Sequence, residues 1–216
     1  MTSQNNPAAI LFDWDGTLVE SLKAIHAAHN VVLGHFGFPT LSYEQARRDL
    51  RQSAREKYVS LFGAEKAPDA FNMYYETILK NHLDELEMLP HAEDFLSFVR
   101  AKQIPMGVVS NKRHMILEKE IAHLGWNNFF GAIVGAGQAE RDKPAADPIL
   151  LATEALNLDP SNIWYVGDTD TDMKAANNAG CIPIFIEHGY GERDEILPHN
   201  PHFIVKDLID LQSKLA

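Results

Sequence analysis

Five short apolar runs punctuate the chain, each stopping abruptly at small or polar residues: Ala8 to Phe12, Ile104 to Val109, Ala132 to Val134, Ile163 to Val166 and Ile182 to Ile186. Each reads as a buried strand feeding a loop at its carboxyl end. Between them apolar residues recur at helical spacing, as in Phe95, Phe98 and Val99, then Ile116, Ile121 and Leu124, then Ile149, Leu150 and Leu156. Strands alternating with helices in this way predict βαβ units and a parallel sheet. Asp147 followed by Pro148 supplies a cap and a first position for one of the helices.

The alternation fails between Val19 and Leu89. There Leu22, Ile25, His29, Val32, Leu33 and Phe36 keep helical spacing until Gly37 and Pro39 break it, and Phe71, Tyr74, Tyr75, Ile78 and Leu79 form a second stripe. No strand signal of comparable quality lies between them. The pattern predicts an all-helical insertion after the first strand, with Pro90 marking the return to the sheet. The expected architecture is α/β: a doubly wound parallel-sheet, Rossmann-like core of residues 1–19 and 90–216, carrying an α-helical cap of residues 20–89. A length of 216 residues accommodates one to two domains.

Lys and Arg total 19 against 30 Asp and Glu, a formal charge of −11. A nucleic-acid partner is not expected, because no basic stripe is present to neutralise phosphates. A small anionic substrate remains compatible if something local reverses the sign. A lone Cys181 makes no intramolecular disulfide and has no second thiol for a thiolate metal site. Met1 to Ala9 is polar and lacks the basic and apolar regions of a secretory signal, and no apolar run is long enough for a membrane span. A cytoplasmic protein with no membrane partner is the expectation; oligomeric state is not legible.

In open parallel sheets ligands bind outside the carboxyl ends of the strands. The first strand delivers Asp13 and Asp15 there, the second Ser110 and Asn111, the segment after the third Lys143, and the fourth Asp168, Asp170 and Asp172. Crowded carboxylates repel unless a cation neutralises them. Hard oxygen donors without Cys or His suggest Mg²⁺. The same residues form a set for phosphoryl transfer: a carboxylate nucleophile, a second carboxyl two residues on to move a proton, and a hydroxyl and an ammonium for phosphoryl oxygens. Asp13 and Asp15 flank Trp14 and reach one volume only if the chain leaves strand geometry, which Gly16 permits. Any one Asp after a strand can equally cap a helix or solvate a loop; the ordered set favours chemistry.

Asp13-Trp14-Asp15-Gly16-Thr17-Leu18-Val19, Val108-Val109-Ser110-Asn111, Asp142-Lys143-Pro144 and Gly167-Asp168-Thr169-Asp170-Thr171-Asp172 resemble, in order, the four motifs of the haloacid dehalogenase-like hydrolases. The similarity runs from Ile10 to about Gly191, and the helical insertion falls where that superfamily carries its first-type cap. Within it the chain looks most like phosphoglycolate phosphatases and beta-phosphoglucomutases. The resemblance implies that Asp13 attacks phosphorus to give an aspartyl phosphate. Asp15 would protonate the leaving alcohol and then deprotonate the attacking water. Thr17, Ser110, Asn111 and Lys143 would hold the phosphoryl group. Asp13, the carbonyl of Asp15 and Asp168 would hold Mg²⁺, with Asp172 supporting it directly, through water or by orienting Lys143. Asp170 falls at a variable position. A carboxyl at Asp15 favours phosphate over halide chemistry, since halide departure needs no proton there. Trp14 replaces the more usual Phe, and Glu20 stands where many relatives have Asp, with no role assigned.

Arg47, Arg48, Arg51, Arg55 and Lys57 cluster in the expected cap. They read either as a solvated face interleaved with Glu44, Asp49 and Glu56, or as a source of substrate contacts, of which Arg51 is the candidate. His188-Gly189-Tyr190-Gly191 reads as a turn or as a loop at the site mouth, and His26 with His29 as a packed or solvated helix face. The expected activity is thus Mg²⁺-dependent hydrolysis of a small phosphorylated metabolite, phosphoglycolate-like or a sugar phosphate. The alternatives are a phosphosugar mutase, a phosphorylatable receiver domain, in which the acidic pair would precede the phosphorylated Asp, and a silent binding module.

Overall fold

The computed structural model describes residues 6–49 and 53–215. In chain order its elements are β1 (Ala9–Phe12), β2 (Val19–Glu20), α1 (Leu22–His35), α2 (Tyr43–Asp49), α3 (Ala54–Ile78), β3 (Glu87–Met88), α4 (Ala92–Ala101) and β4 (Met106–Arg113). There follow α5 (His114–His123), β5 (Ala132–Ala136), α6 (Asp147–Leu156), β6 (Ile163–Gly167), α7 (Asp170–Ala179), β7 (Ile182–Ile186), α8 (Arg193–Ile196), β8 (Phe203–Val205) and α9 (Leu208–Gln212).

Every residue of β1 is buried. The two-residue period of a strand sends Ile10 and Phe12 into one apolar core and Ala9 and Leu11 into another, so the sheet is covered on both faces. Six strands lie in the order β5-β4-β1-β6-β7-β8, every pairing parallel. On one face Phe95, Leu96 and Val99 of α4, Leu117 and Ile121 of α5 and Leu208 and Leu211 of α9 cover the sheet; on the other, Ile149 and Ala152 of α6 and Ala175, Ala176 and Ala179 of α7 do so. This is the doubly wound α/β architecture that the alternation predicts.

Between β2 and β3 the described chain is helical. Ala24, Ile25, Ala28 and Val32 of α1 pack against Tyr58, Ala67, Ala70, Tyr74 and Ile78 of α3, joined by Ile116 from α5. Helix α3 is broken at Gly63, whose φ of 75° is not helical. The segment leaves and rejoins the sheet through an antiparallel ribbon that pairs Val19 with Met88 and Glu20 with Glu87.

Three local features depart from the sequence reading. The second predicted strand continues through Ser110 and Asn111 to Arg113, with a register irregularity after Val109, so both residues lie inside β4. Asp147 is the first residue of α6, preceded by Ala146 at the N-cap, because the following Pro148 fits the first turn rather than only its opening position. The β2–β3 ribbon, β8 and α9 are additional.

Candidate active site

Sheet order turns round at β1: the chain goes from β1 to β4 and β5 on one side and then to β6, β7 and β8 on the other. A crevice opens at the carboxyl end of the strands at such a switch point, and Asp13 and Asp15 follow β1 into it. The Asp13 amide still donates to the Val166 carbonyl at 2.8 Å, and then the chain coils, with the Leu18 and Val19 amides donating to the Trp14 carbonyl at 3.0 and 3.1 Å. Gly16 makes this turn possible for two reasons. Its φ is +79°, and a β-carbon there would sit 2.4 Å from Asp168 Oδ2.

Asp13, Lys143, Asp168 and Asp172 come together from three places in the chain, the last two from the junction of β6 and α7. Lys143 Nζ lies 2.8 Å from Asp13 Oδ1 and 2.7 Å from Asp172 Oδ1, and donates to Tyr165 Oη at 2.9 Å. Asp172 Oδ2 accepts from the Thr169 amide at 3.0 Å and from its hydroxyl at 2.6 Å, so this carboxylate both starts α7 and holds the lysine. Asp168 accepts from the Tyr190 amide at 2.6 Å and from Thr17 Oγ1 at 3.3 Å. A β-carbon on Gly189 would fall 2.2 Å from Asp168 Oδ2.

One ammonium among three buried carboxylates leaves an excess of negative charge. Burial pushes the Asp13 carboxyl up to about 7, with Asp172 and Asp15 adding to it and Lys143 opposing. Burial, then repulsion from Asp172 and Asp13, holds Asp168 well above the carboxylate range. Burial works against the charge on Lys143, but Asp13 and Asp172 outweigh it and keep the ammonium firmly protonated. Oxygens of Asp13, Asp168 and Asp172 lie within 4.8 Å of one another, a hard-donor cluster that could hold a cation.

Asp15 lines the same cavity but belongs to a different electrostatic environment. Its Oδ1 accepts from Lys112 Nζ at 2.7 Å and from the Ser21 hydroxyl in a short contact. Burial raises its carboxyl, Lys112 lowers it and Glu120 raises it. Ser110 is buried on the cavity wall, where its Oγ accepts the Lys112 amide at 3.1 Å. The Asn111 side chain is committed to the Lys143 backbone, donating to its carbonyl and accepting from its amide, both at 2.9 Å. Thr17 is fully buried beside Asp168. Arg51 lies outside the described residues. Asp170 pairs with Lys174 at 2.6 Å.

Glu20, which the sequence leaves without a role, accepts from Tyr190 Oη and the Leu22 amide, each at 2.7 Å. Arg47 donates to the Gly189 carbonyl at 2.6 Å, tying the helical segment to the loop after β7. The cavity beyond the aspartates is walled by Ile25, Tyr74, Tyr75 and Ile78, with Arg113 stacked 4.3 Å from the Tyr75 ring centre. His26 and His29 go separate ways: His26 Nε2 contacts the Leu41 carbonyl at 2.8 Å, and His29 Nδ1 shares a hydrogen bond with Tyr58 Oη at 2.7 Å.

The sequence reading missed Lys112, Glu120 and His82. Glu120 carries a visible signal, because Ile116, Leu117, Ile121 and Leu124 define the apolar face of α5 and position 120 falls on it. A carboxylate there must find a buried partner.

A parallel sheet carries a carboxylate pair after β1, a serine on the neighbouring strand and a lysine–aspartate couple across the crevice. The family model for haloacid dehalogenase-like hydrolases matches residues 10–186, and the chain belongs to that family. Among curated relatives it is 28% identical over 192 residues to the phosphoglycolate phosphatase of Chromobacterium violaceum, covering 85% of this chain and 86% of that one. It is 26% identical over 234 residues to the phosphoglycolate phosphatase of Escherichia coli K12, covering 96% and 92%. A haloacid dehalogenase-like family hydrolase from Streptococcus pneumoniae superposes with a TM-score of 0.85 at 25% identity, covering 99% of each chain. Both of these curated relatives are phosphoglycolate phosphatases, to which the chain is similar over most of its length. No helix among the described residues is long and apolar enough to cross a membrane.

Proposed function

We propose that the chain is a Mg²⁺-dependent cytoplasmic phosphatase that hydrolyses a small phosphomonoester, phosphoglycolate-like or a sugar phosphate, through a phosphorylated Asp13. The observation that carries this reading is the pairing of Asp13 with Lys143 at 2.8 Å inside the cluster formed with Asp168 and Asp172, and with Asp15 on the same cavity. The donor set fits the metal: every candidate atom is a hard oxygen, and the raised Asp13 and Asp168 carboxyls lack sufficient positive charge. Asp13, the Asp15 carbonyl and Asp168 would hold Mg²⁺. Asp172, whose two oxygens already serve Lys143 and Thr169, would support it by orienting the lysine. Bound there, Mg²⁺ supplies positive charge to the nucleophile and to the phosphoryl oxygens.

Asp13 forms a bond to phosphorus while the ester P–O bond breaks and its electron pair leaves on the alcohol oxygen. Asp15 gives that oxygen a proton. The resulting Asp15 carboxylate then takes a proton from water as the water oxygen bonds to phosphorus and the P–O bond to Asp13 breaks, its electron pair staying on the Asp13 carboxylate; inorganic phosphate is released and Asp15 is again the acid. Lys143 and the Ser110 hydroxyl face the charge that builds on the phosphoryl oxygens, and Asn111 fixes the lysine's backbone. The helical segment of residues 20–89 acts as the cap, its Tyr74, Tyr75 and Ile78 forming the wall opposite the aspartates.

A panel of phosphorylated metabolites incubated with the purified enzyme, with Mg²⁺ or with EDTA, tests this reading. Free phosphate should appear only with metal, and Asp13→Asn should abolish it while the protein stays folded. Conversion of a sugar phosphate into its isomer without phosphate release would favour the mutase, and activity persisting in Asp13→Asn would overturn the mechanism.

A further inference from the structure

Behind Asp15 lies a buried chain of charge that the reaction as described does not use. Lys112 Nζ is 2.7 Å from Asp15 Oδ1, 2.6 Å from Glu120 Oε2 and 3.2 Å from Ser21 Oγ. Glu120 is fully buried; its Oε1 meets His82 Nδ1 at 3.0 Å, and its Oε2 also accepts from Trp14 Nε1 at 2.7 Å. The members come from separate elements. Trp14 and Asp15 follow β1, Ser21 follows β2, His82 follows α3, Lys112 is the penultimate residue of β4 and Glu120 sits on α5. All the described contacts to the Asp15 carboxylate fall on one oxygen, Oδ1.

Holding several ions out of water costs several kcal/mol for each, and apolar side chains of the same volume would serve packing at least as well. A network of this kind earns its place through specificity of geometry. We propose that Lys112, held by Glu120 and His82, is a positioning residue for the reaction: it clamps Asp15 through Oδ1 and so presents Oδ2 as the oxygen that exchanges the proton with the leaving alcohol. This rests on the reading of Asp15 as the proton donor. His82 lies on the chain returning from the helical segment, so the clamp also ties the orientation of Asp15 to the seat of that segment on the sheet. Trp14 has a specific part in it: the indole N–H, which the commoner Phe lacks, is the third hydrogen bond on Glu120.

The test compares two substrates in the full-length enzyme with Mg²⁺, an alkyl phosphate whose alcohol needs a proton to leave and p-nitrophenyl phosphate whose phenolate does not. The readout is kcat/KM, which ends at departure of the leaving group. Lys112→Met and the nearly isosteric Glu120→Gln should lower it for the alkyl ester by about 10²-fold, the scale of general-acid catalysis, and for the aryl ester by under about tenfold. Asp15→Asn is the reference and should show the same selectivity, larger. Equal losses on both substrates, or no loss on either, in Glu120→Gln would overturn the clamp even if Lys112→Met fails to fold. If Asp15→Asn itself shows no selectivity, the proton-donor reading fails; if it does and Glu120→Gln does not, only the clamp fails.

Discussion

Asp13 and Asp15 stand two residues apart on opposite sides of Trp14, yet each has its own lysine. Lys143 sits on Asp13 and Lys112 on Asp15, an arrangement that in the proposed reaction would separate the nucleophile from the group that handles protons. His29 shows the same control by burial in a residue outside the chemistry. Burial, with smaller contributions from Lys57 and His26, pushes its imidazole down to about 3, so it stays neutral, hydrogen-bonded to Tyr58. The unfolded chain takes up a proton near pH 6.5 and the native one does not. Stability from this site is therefore complete above about pH 6.5 and falls by up to about 1.4 kcal/mol per pH unit below it, towards pH 3. Denaturant midpoints measured from pH 7.5 to pH 5 should show a shallower decline in His29→Asn than in the parent, and parallel curves would contradict the assignment.

The turn after β1 is the element on which the site depends. Gly16→Ala would add the left-handed backbone penalty of about 1–2 kcal/mol to a direct clash with the Asp168 carboxylate. The variant should lose most of its activity as well as stability, measured by phosphate release and chemical denaturation; a variant with parental kcat would show that the turn tolerates a side chain. Elements of this kind were legible in the sequence because their signals are local. Uninterrupted apolar runs mark strands buried on both faces, and Gly16 beside two acids marks a turn. The β2–β3 ribbon was not legible, since two-residue strands leave no periodicity and Val19 meets Met88 only through folding. Lys112 escaped for a related reason: its partners Asp15 and Glu120 are distant in sequence or on another element, and one lysine after a strand resembles any solvated one. Arg47 belongs to a cluster that the sequence reads as a solvated face or as a source of substrate contacts, whereas its partner is a backbone carbonyl, a group that sequence patterns do not display.

For the whole molecule, part of the acidic excess behind the formal charge of −11 is gathered at one site. Asp13, Asp168 and Asp172 are buried at the centre of the sheet's carboxyl edge with Lys143 as their shared ammonium. A divalent cation that binds only this native cluster stabilises the fold by mass action, about 2.7 kcal/mol when present at a hundredfold excess over its dissociation constant. Thermal unfolding should accordingly rise with Mg²⁺ and fall back with EDTA. Asp168→Asn should lose that response yet be no less stable than the parent in EDTA, because burial and the neighbouring Asp172 and Asp13 already disfavour a charged carboxylate at this position. A Mg²⁺ response undiminished in Asp168→Asn would place the metal elsewhere. The central claim, that phosphate passes through Asp13, is tested most directly by acid-quenching the enzyme during turnover and locating the modification by peptide mass spectrometry. One phosphoryl group is expected on the peptide containing Asp13, absent from Asp13→Asn; steady turnover with no phosphorylated peptide, or with the group on another residue, would contradict the phosphorylation of Asp13.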